Sequence, residues 1–386
     1  MRIYLGLFFL LLISTRCGKN TNMELIPSKD SQVFFNNKVT ESDSLNILLY
    51  EYMYNGGGVA LADFNNDELE DIYYTGNVVD NALYLNKGDF KFEDITQKAN
   101  AGCSGFWSMG VSVIDINNDG WLDMHIAVSG KGSATNRKNI LLENQGLDSE
   151  GIPQFVNKAK DYGLDYDGFS INSYFFDYNK DGLMDMFLIN NHFTNRGDVL
   201  SKRNFQKNKD RNNVNILYKN VDGTHFVDVT EESGVLNDAF SLSANIFDAN
   251  DDGWLDIFVS NDFVTSSAMY INQKDGTFEE EIDSYFKHQS FSSMGVDVAD
   301  FNNDGQEDLI TLDMLPRTSS RTKQMFPKTN FLFYDLLDMY KEKPQYMRNC
   351  LYVNHQNTFH EISQLAHVSS TDSVSYTHLR AHETRH

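Results

Sequence analysis

Five nine-residue segments of the chain carry carboxylate and amide side chains in the same order. Alternate side chains of a tight turn point inward, so such a segment gathers oxygen atoms around one point, and Ca²⁺ prefers oxygen donors of this kind. Positions 1, 3, 5 and 9 of the segments are Asp63, Asn65, Asp67 and Asp71; Asp115, Asn117, Asp119 and Asp123; Asp177, Asn179, Asp181 and Asp185; Asp248, Asn250, Asp252 and Asp256; and Asp300, Asn302, Asp304 and Asp308.

Positions 6 and 7 of the segments support the same chemistry. Position 6 is Gly in four segments, which permits a sharp turn, and only Glu68 in the first segment departs from it. We therefore expect the first site to be weaker or distorted. By analogy with the EF-hand loop, position 7 supplies a backbone carbonyl. The sequence predicts one structural Ca²⁺ ion in each segment, with little coordination left for a substrate.

An EF-hand, an Asx turn and a site for a different metal are the alternatives for such a segment. An EF-hand requires Glu at position 12 and flanking helices, whereas here the last acid stands at position 9 and the flanks are rich in β-formers. One Asp-Asn-Asp cluster alone would be an ordinary Asx turn, but five copies in one phase favour a cation site. Mg²⁺ prefers octahedral, water-rich sites, and transition metals prefer His or Cys ligands that the segments lack.

Each segment lies within a larger repeat whose flanks also recur. An alternating or small-residue run such as 109–114 precedes the segment, and a β-rich run such as 257–259 follows it. A third run that ends in Asn, such as 83–86, and a fourth, such as 226–230, complete the unit. Four short strands in about 50 residues are the size of one propeller blade. The sequence predicts an all-β propeller of four-stranded blades with Asp-rich calcium loops.

The repeats resemble the FG-GAP, or VCBS, repeats of integrin-α-like propellers. The run Tyr-Asn-Gly-Gly-Gly-Val-Ala-Leu-Ala-Asp at 54–63, followed by Leu-Tyr-Leu-Asn-Lys-Gly at 83–88, also resembles bacterial surface proteins related to cartilage acidic protein. That group often carries a downstream ASPIC and UnbV-type domain, which is absent from this sequence. The resemblance covers about residues 32–370 and implies a ring of seven blades, of which five are present, hence a C-terminal truncation.

The regions outside the repeats complete the domain organisation. Residues 1–17 join an apolar run to Cys17, as in a bacterial lipoprotein signal, although Arg16 replaces the small residue expected before a lipidated Cys. Residues 18–31 form a linker and 32–370 the propeller, interrupted by insertions at 192–213 and 316–348. Residues 371–386 form a tail that lacks the repeat and has the composition of a foreign segment. We expect export, lipidation at Cys17, and a location at the outer membrane, at the cell surface or in the periplasm.

Residues 34–40 resemble a fourth strand, which would close the ring by pairing with the last blade. An arc of five blades would leave two strand edges open and promote association.

Charge and motifs exclude several functions. A net charge of −23 argues against nucleic-acid binding, because a polyanion would be repelled. No metalloprotease His-Glu-x-x-His, nucleophile elbow or phosphate loop occurs, so no catalytic residue is predicted. The Arg-Gly-Asp tripeptide at 196–198 matches an integrin-recognition sequence, but a tripeptide arises easily by chance. The pair Phe106-Trp107 either lines a sugar-binding rim or belongs to the core.

These observations predict a calcium-binding surface scaffold for adhesion, or for binding an extracellular protein or glycan, with membrane contact through the N-terminal lipid only. The alternative is a propeller enzyme that acts on extracellular polysaccharide. Two or three acids or a His on the face opposite the calcium loops would favour the enzyme.

Overall fold

The computed structural model describes residues 24–130, 134–191, 214–237, 239–262, 265–325 and 344–370. The predicted signal with Cys17, the insertion 192–213 with its Arg-Gly-Asp tripeptide, most of the insertion 316–348 and the tail 371–386 lie outside these residues. No helix in the described ranges is long and apolar enough to cross a membrane.

Five four-stranded antiparallel sheets form the described part of the chain, and each runs as a meander in chain order. They are the predicted blades. Blade 1 contains β1 (Val59–Ala62), β2 (Asp71–Tyr74), β3 (Ala82–Asn86) and β4 (Phe92–Asp94); blade 2 contains β5 (Trp107–Ile114), β6 (Asp123–Ser129), β7 (Ile140–Leu147) and β8 (Pro153–Asn157); blade 3 contains β9 (Ser170–Phe176), β10 (Asp185–Asn190), β11 (Ile216–Asn220) and β12 (Phe226–Asp228).

Blades 4 and 5 repeat the four-stranded pattern of the first three blades. The described helices are short. Blade 4 contains β13 (Ser241–Phe247), β14 (Asp256–Asn261), β15 (Ala268–Asn272) and β16 (Phe278–Glu280). A short β17 (Gln289–Ser290) pairs in parallel with β20 (Gln345–Tyr346) beside blade 5, which contains β18 (Gly295–Ala299), β19 (Asp308–Leu312), β21 (Cys350–His355) and β22 (Thr358–Glu361). Within the described residues the helices are α1 (Ser28–Ser31), α2 (Ala159–Tyr162), α3 (Ile282–Tyr285) and α4 (Ser319–Met325), with 3₁₀ segments at Glu51–Tyr54 and Ala134–Arg137.

The second strands of the three middle blades are completely buried, because neighbouring blades cover both of their faces. Every residue of β6, β10 and β14 is buried, which explains their continuous apolar runs. Outer strands such as β12 and β16 bury only their first residue. The cores lie between successive blades: Phe64 of blade 1 meets Phe155 of blade 2 edge to face at 5.9 Å. The all-β, blade-type architecture predicted from the repeats is confirmed.

The N-terminal segment does not form the predicted fourth strand. Residues 33–41 carry no strand and lie along blade 1, where the Phe35 ring stacks on Tyr74 at 4.9 Å and Asn37 bonds to Asn77 at 2.7 Å. The fourth position of blade 1 is already filled by β4, and β22 pairs with β21 alone among the described strands. First strands of consecutive blades pack together in chain order from β1 to β18. The seven-bladed ring stays a prediction.

Candidate metal centres

The five Asp-rich segments all connect the first strand of a blade to the second, so they lie at the same end of the sheets. Position 9 of each segment is the first residue of the second strand. Neighbouring loops touch: Asn66 donates to the Gly120 carbonyl at 3.1 Å, and Lys180 Nζ lies 4.5 Å from the centroid of the Trp254 ring. We call these segments loops 1 to 5.

Within each loop, oxygens of positions 1 and 3 converge on the backbone N–H of position 5, and the position-5 carboxylate accepts the N–H of position 7. In loop 2, the N–H of Asp119 donates to both Asp115 Oδ1 and Asn117 Oδ1 at 3.0 Å. The N–H of Gly120 donates to Asp115 Oδ2, and that of Trp121 to Asp119 Oδ1, both at 2.9 Å. The same four hydrogen bonds recur in loops 1, 3, 4 and 5.

Loop 1 keeps this geometry although it lacks the glycine. Glu68 adopts φ 70°, close to the 87° of Gly182, and its N–H still donates to Asp63 Oδ2 at 2.7 Å. A left-handed backbone costs a non-glycine residue about 1–2 kcal/mol. The expected distortion is therefore absent from the backbone hydrogen bonds of loop 1. A weaker affinity of this loop for Ca²⁺ stays a prediction.

The carboxylate at position 9 is buried and ties its loop to the third strand of the blade. Asp123 is fully buried; its Oδ2 accepts the N–H of Ile116 at 2.9 Å, and its Oδ1 accepts the N–H of Asn144 at 2.7 Å. The equivalent pairs of bonds recur at Asp71, Asp185, Asp256 and Asp308.

The asparagine that recurs in the second half of each third strand is a site residue that sequence reasoning did not assign. Its side chain reaches back to the loops: Asn144 donates to the Leu122 carbonyl of its own loop and to the Phe64 carbonyl of loop 1. Asn272 likewise bridges loops 4 and 3. The recurrence of Asn at the end of every third run was the available signal. The residues are Asn86, Asn144, Asn220, Asn272 and Asn354.

Burial and nearby negative charge raise the pKa of the position-9 carboxylates of loops 1 to 4. Burial raises the pKa of Asp123 to about 7, against the lowering effect of its two backbone hydrogen bonds, and the charges of Asp119 and Glu143 raise it further. Burial also raises the pKa of Asp71 to about 6 and those of Asp185 and Asp256 to about 7. A divalent cation beside such carboxylates favours their ionised forms.

The donor set of each loop fits Ca²⁺ through positions 1, 3 and 5. In the described ranges no three His, Cys, Asp or Glu side chains come together as a ready metal cluster. Two positions of the loop explain why no such cluster forms. Position 3 carries an amide instead of a carboxylate, and the position-9 carboxylate faces backbone N–H groups. Most of the converging oxygens accept a single hydrogen bond and keep a lone pair. Hard oxygens of this kind, completed by water or a carbonyl, suit Ca²⁺.

The opposite end of the blades carries two buried acids, Asp262 and Asp313. Burial raises the pKa of Asp313 to about 7, and the charge of Asp262 raises it further, against hydrogen bonds that lower it. Asp313 Oδ2 accepts the Ser290 hydroxyl at 2.6 Å and the N–H of Phe291 and of Ser292. This carboxylate thereby holds the backbone after β17.

A cleft of about 480 Å³ opens at that same end, between blades 1 and 2. Phe106 and Asn77 line it, together with the exposed Asp80 and Asn136. Trp107 also borders it but is 9% exposed and packs edge-on against Tyr50 at 5.3 Å. Of the aromatic pair noted in the sequence, Trp107 belongs to the core, whereas the half-buried Phe106 packs against the core and also lines the cleft.

The repeats match a known family model. Residues 63–126 and 248–311 match the FG-GAP-like repeat, and the two matches contain loops 1 and 2 and loops 4 and 5. The described molecule is thus an all-β protein of propeller-type blades that carries FG-GAP-like repeats in two places. No curated protein matches its sequence.

Solved structures resemble the chain at low sequence identity. An Agrocybe aegerita lectin that recognises non-reducing terminal N-acetylglucosamine is 14% identical, with a TM-score of 0.39 over 78% of this chain and 64% of the lectin. The V. cholerae biofilm matrix protein Bap1 is 14% identical, with a TM-score of 0.37 over 78% of this chain and 38% of Bap1. The Photorhabdus luminescens Tc holotoxin pore is 16% identical, with a TM-score of 0.34 over 81% of this chain and 12% of that chain.

Proposed function

We propose that this protein is a calcium-stabilised surface scaffold that binds an extracellular protein or glycan and has no catalytic role. The observation that carries the proposal is the fivefold recurrence of one loop geometry, in which oxygens of positions 1 and 3 meet at the N–H of position 5 and the position-3 amide contacts the position-5 carboxylate. Carboxylates gathered in this way repel one another, and a Ca²⁺ ion in each loop relieves the repulsion. Each ion is structural, because the loop itself supplies most of the ligands.

The cleft opposite the loops is the proposed ligand surface. It combines the half-buried Phe106 ring with the exposed carboxylate of Asp80 and the exposed amide of Asn136. An apolar wall with a few polar groups suits a small part of a larger ligand, such as one sugar ring or one side chain. In this arrangement the Ca²⁺ ions stiffen the blades from one end while the other end binds the ligand.

Attachment to the outer membrane through a lipid on Cys17 completes the proposal. It rests on the sequence of residues 1–17, where the apolar run leads directly to that cysteine. The protein would then face the periplasm or the cell exterior, where Ca²⁺ is available at the affinity of extracellular modules.

Binding of the purified chain to an array of glycans and extracellular proteins, with Ca²⁺ or with chelator, tests the proposal. We expect ligands that are retained in Ca²⁺ and lost in chelator, and weaker retention for Phe106→Ala. The matched control is Phe90→Ala, an aromatic residue that is 67% exposed in the β3–β4 turn, at the loop end of blade 1. A ligand that binds as well in chelator as in Ca²⁺ would contradict the role of the ion. A ligand that binds Phe106→Ala as well as the unchanged protein would contradict the role of the cleft.

A polysaccharide-active enzyme is the second candidate, because the acids Asp262 and Asp313 lie at the end opposite the loops. Against it, Asp313 is enclosed and its Oδ2 is engaged by Ser290, Phe291 and Ser292. Release of reducing ends from a polysaccharide, abolished by Asp262→Asn, would favour the enzyme over the scaffold.

A further inference from the structure

Two lysines contact the position-5 carboxylates of loops 3 and 4. Lys274 Nζ lies 3.2 Å from Asp252 Oδ2, and Lys219 Nζ lies 3.7 Å from Asp181 Oδ2. Among the ion pairs of the described residues, none joins a basic side chain to position 5 of loops 1, 2 or 5. The five loops therefore share a hydrogen-bond geometry but differ in their charge surroundings.

Both lysines belong to the segment around the third-strand asparagine, which brings them to the loop end. Lys219 immediately precedes Asn220 in β11, and Lys274 follows Asn272 by two residues in the turn to β16. Blade 1 also has a lysine in this turn. Lys87 pairs with Glu93 of β4 at 3.4 Å instead of with a carboxylate of loop 1.

Blade 2 carries the opposite charge at the place of Lys219. Glu143 precedes Asn144 in β7, accepts the hydroxyl of Tyr162 at 2.8 Å, and acts electrostatically on Asp123 of loop 2. Loop 2 thus has an additional acid beside it, whereas loop 3 has an ammonium group in the equivalent place. The contrast arises at one position of the repeat.

We infer that Lys219 and Lys274 act as built-in cations for loops 3 and 4, so that these loops bind Ca²⁺ more weakly than loop 2. The inference rests on the proposed calcium-binding function. An ammonium group 3–4 Å from a carboxylate offsets part of its charge and repels an arriving divalent ion. Because Lys274 is 48% exposed and solvent screens its charge, we expect a difference of about three- to tenfold in affinity.

Terbium luminescence on the full chain can measure the two kinds of loop separately. Trp121 and Trp254 stand at position 7 of loops 2 and 4, so each can excite Tb³⁺ bound in its own loop. Trp254→Phe leaves Trp121 to report loop 2, and Trp121→Phe leaves Trp254 to report loop 4. Direct titration with Tb³⁺ gives the Tb³⁺ affinity of each loop, and displacement by Ca²⁺, corrected for that affinity, then gives the Ca²⁺ midpoint of the loop. We expect the corrected Ca²⁺ midpoint of loop 4 to be about three- to tenfold higher than that of loop 2.

Charge variants provide the decisive comparison. Lys274→Met keeps the aliphatic stem and should lower the loop 4 midpoint about three- to tenfold while leaving loop 2 unchanged. Lys87→Met is the matched control and should move neither midpoint. Glu143→Gln should raise the midpoint of loop 2.

The outcomes separate this inference from the calcium proposal. Sensitised emission with equal midpoints, or a loop 4 midpoint that Lys274→Met does not move, would overturn the role of the lysines and leave calcium binding intact. An unmoved loop 2 midpoint in Glu143→Gln would also count against charge as the cause. No sensitised emission from either loop would overturn the calcium proposal itself.

Discussion

The hydroxyl of Tyr52 donates a 2.9 Å hydrogen bond to Asp262 Oδ2, and 210 residues separate the two in sequence. Tyr52 lies in the 3₁₀ segment before blade 1, whereas Asp262 follows the second strand of blade 4. The segment is anchored by Met53, which is fully buried, and by Tyr50 against Trp107 of blade 2. The N-terminal segment therefore connects distant blades at the end opposite the loops.

Removal of this hydroxyl should destabilise the fold. Tyr52→Phe takes a hydrogen bond from a buried carboxylate, which costs about 1–3 kcal/mol. Tyr54→Phe is the control, because its hydroxyl donates to the solvent-exposed Glu41 and its loss should cost less than about 1 kcal/mol. Urea denaturation of both variants gives the two free energies of unfolding. Equal losses of unfolding free energy in the two variants would mean that the hydrogen bond from Tyr52 to Asp262 stabilises the fold no more than the exposed one from Tyr54 to Glu41.

Chelation of Ca²⁺ should lower the thermal midpoint of unfolding. A ligand that binds only the folded state adds about 2.7 kcal/mol per site at 100 times its dissociation constant. Scanning calorimetry with Ca²⁺ and with chelator measures the difference, and Mg²⁺ at the same concentration is the control. A midpoint that is the same in all three solutions would remove the structural role assigned to the ion.

Restoration of glycine in loop 1 should stabilise the protein. Glu68 holds φ 70°, so Glu68→Gly relieves a left-handed conformation and should gain about 1 kcal/mol. The reverse change, Gly182→Ala, should lose about 1 kcal/mol at φ 87°, because a Cβ there meets no atom and only the backbone conformation is tested. Chemical denaturation decides the signs; a destabilised Glu68→Gly would show that the Glu68 side chain itself supports loop 1.

Stability at saturating Ca²⁺ should fall as the pH rises from about 5 to about 8, in part because of Asp313. Burial raises the pKa of Asp313 to about 7, above the ordinary aspartate value of 3.8. The folded state therefore binds more protons than the unfolded state across this window, and the contribution is lost as the pH rises through the folded pKa. The groups around the carboxylate are Asp262, Ser290, Ser292, Met314 and the backbone of Phe291.

Asp313→Asn tests this assignment. The variant cannot ionise, so its free energy of unfolding should change less steeply with pH than that of the wild type, whatever its absolute stability. Parallel curves for the two proteins would assign the pH dependence to another group.

The sequence alone determined the parts of this protein whose hydrogen bonds close within a few residues. The loop bonds from Asp119 to Asp115 and Asn117 span at most four residues, so the nine-residue pattern specifies them wherever it occurs. The strands beside the loops could be predicted from the sequence for the same reason, because alternating and continuous apolar runs are local signals. Five repeats in one phase then predicted the blades and their order.

Tertiary structure decided what depends on residues far apart in the chain. Asn144 meets the carbonyl of Phe64 across 80 residues, and Lys219 meets Asp181 because β10 and β11 pair across a long insertion. The segment 34–40 resembles a strand in sequence, yet it forms none and lies against blade 1, where Phe35 stacks on Tyr74. A contact between residues far apart in the chain depends on which other residues fill the surrounding space. A local sequence pattern does not contain that information.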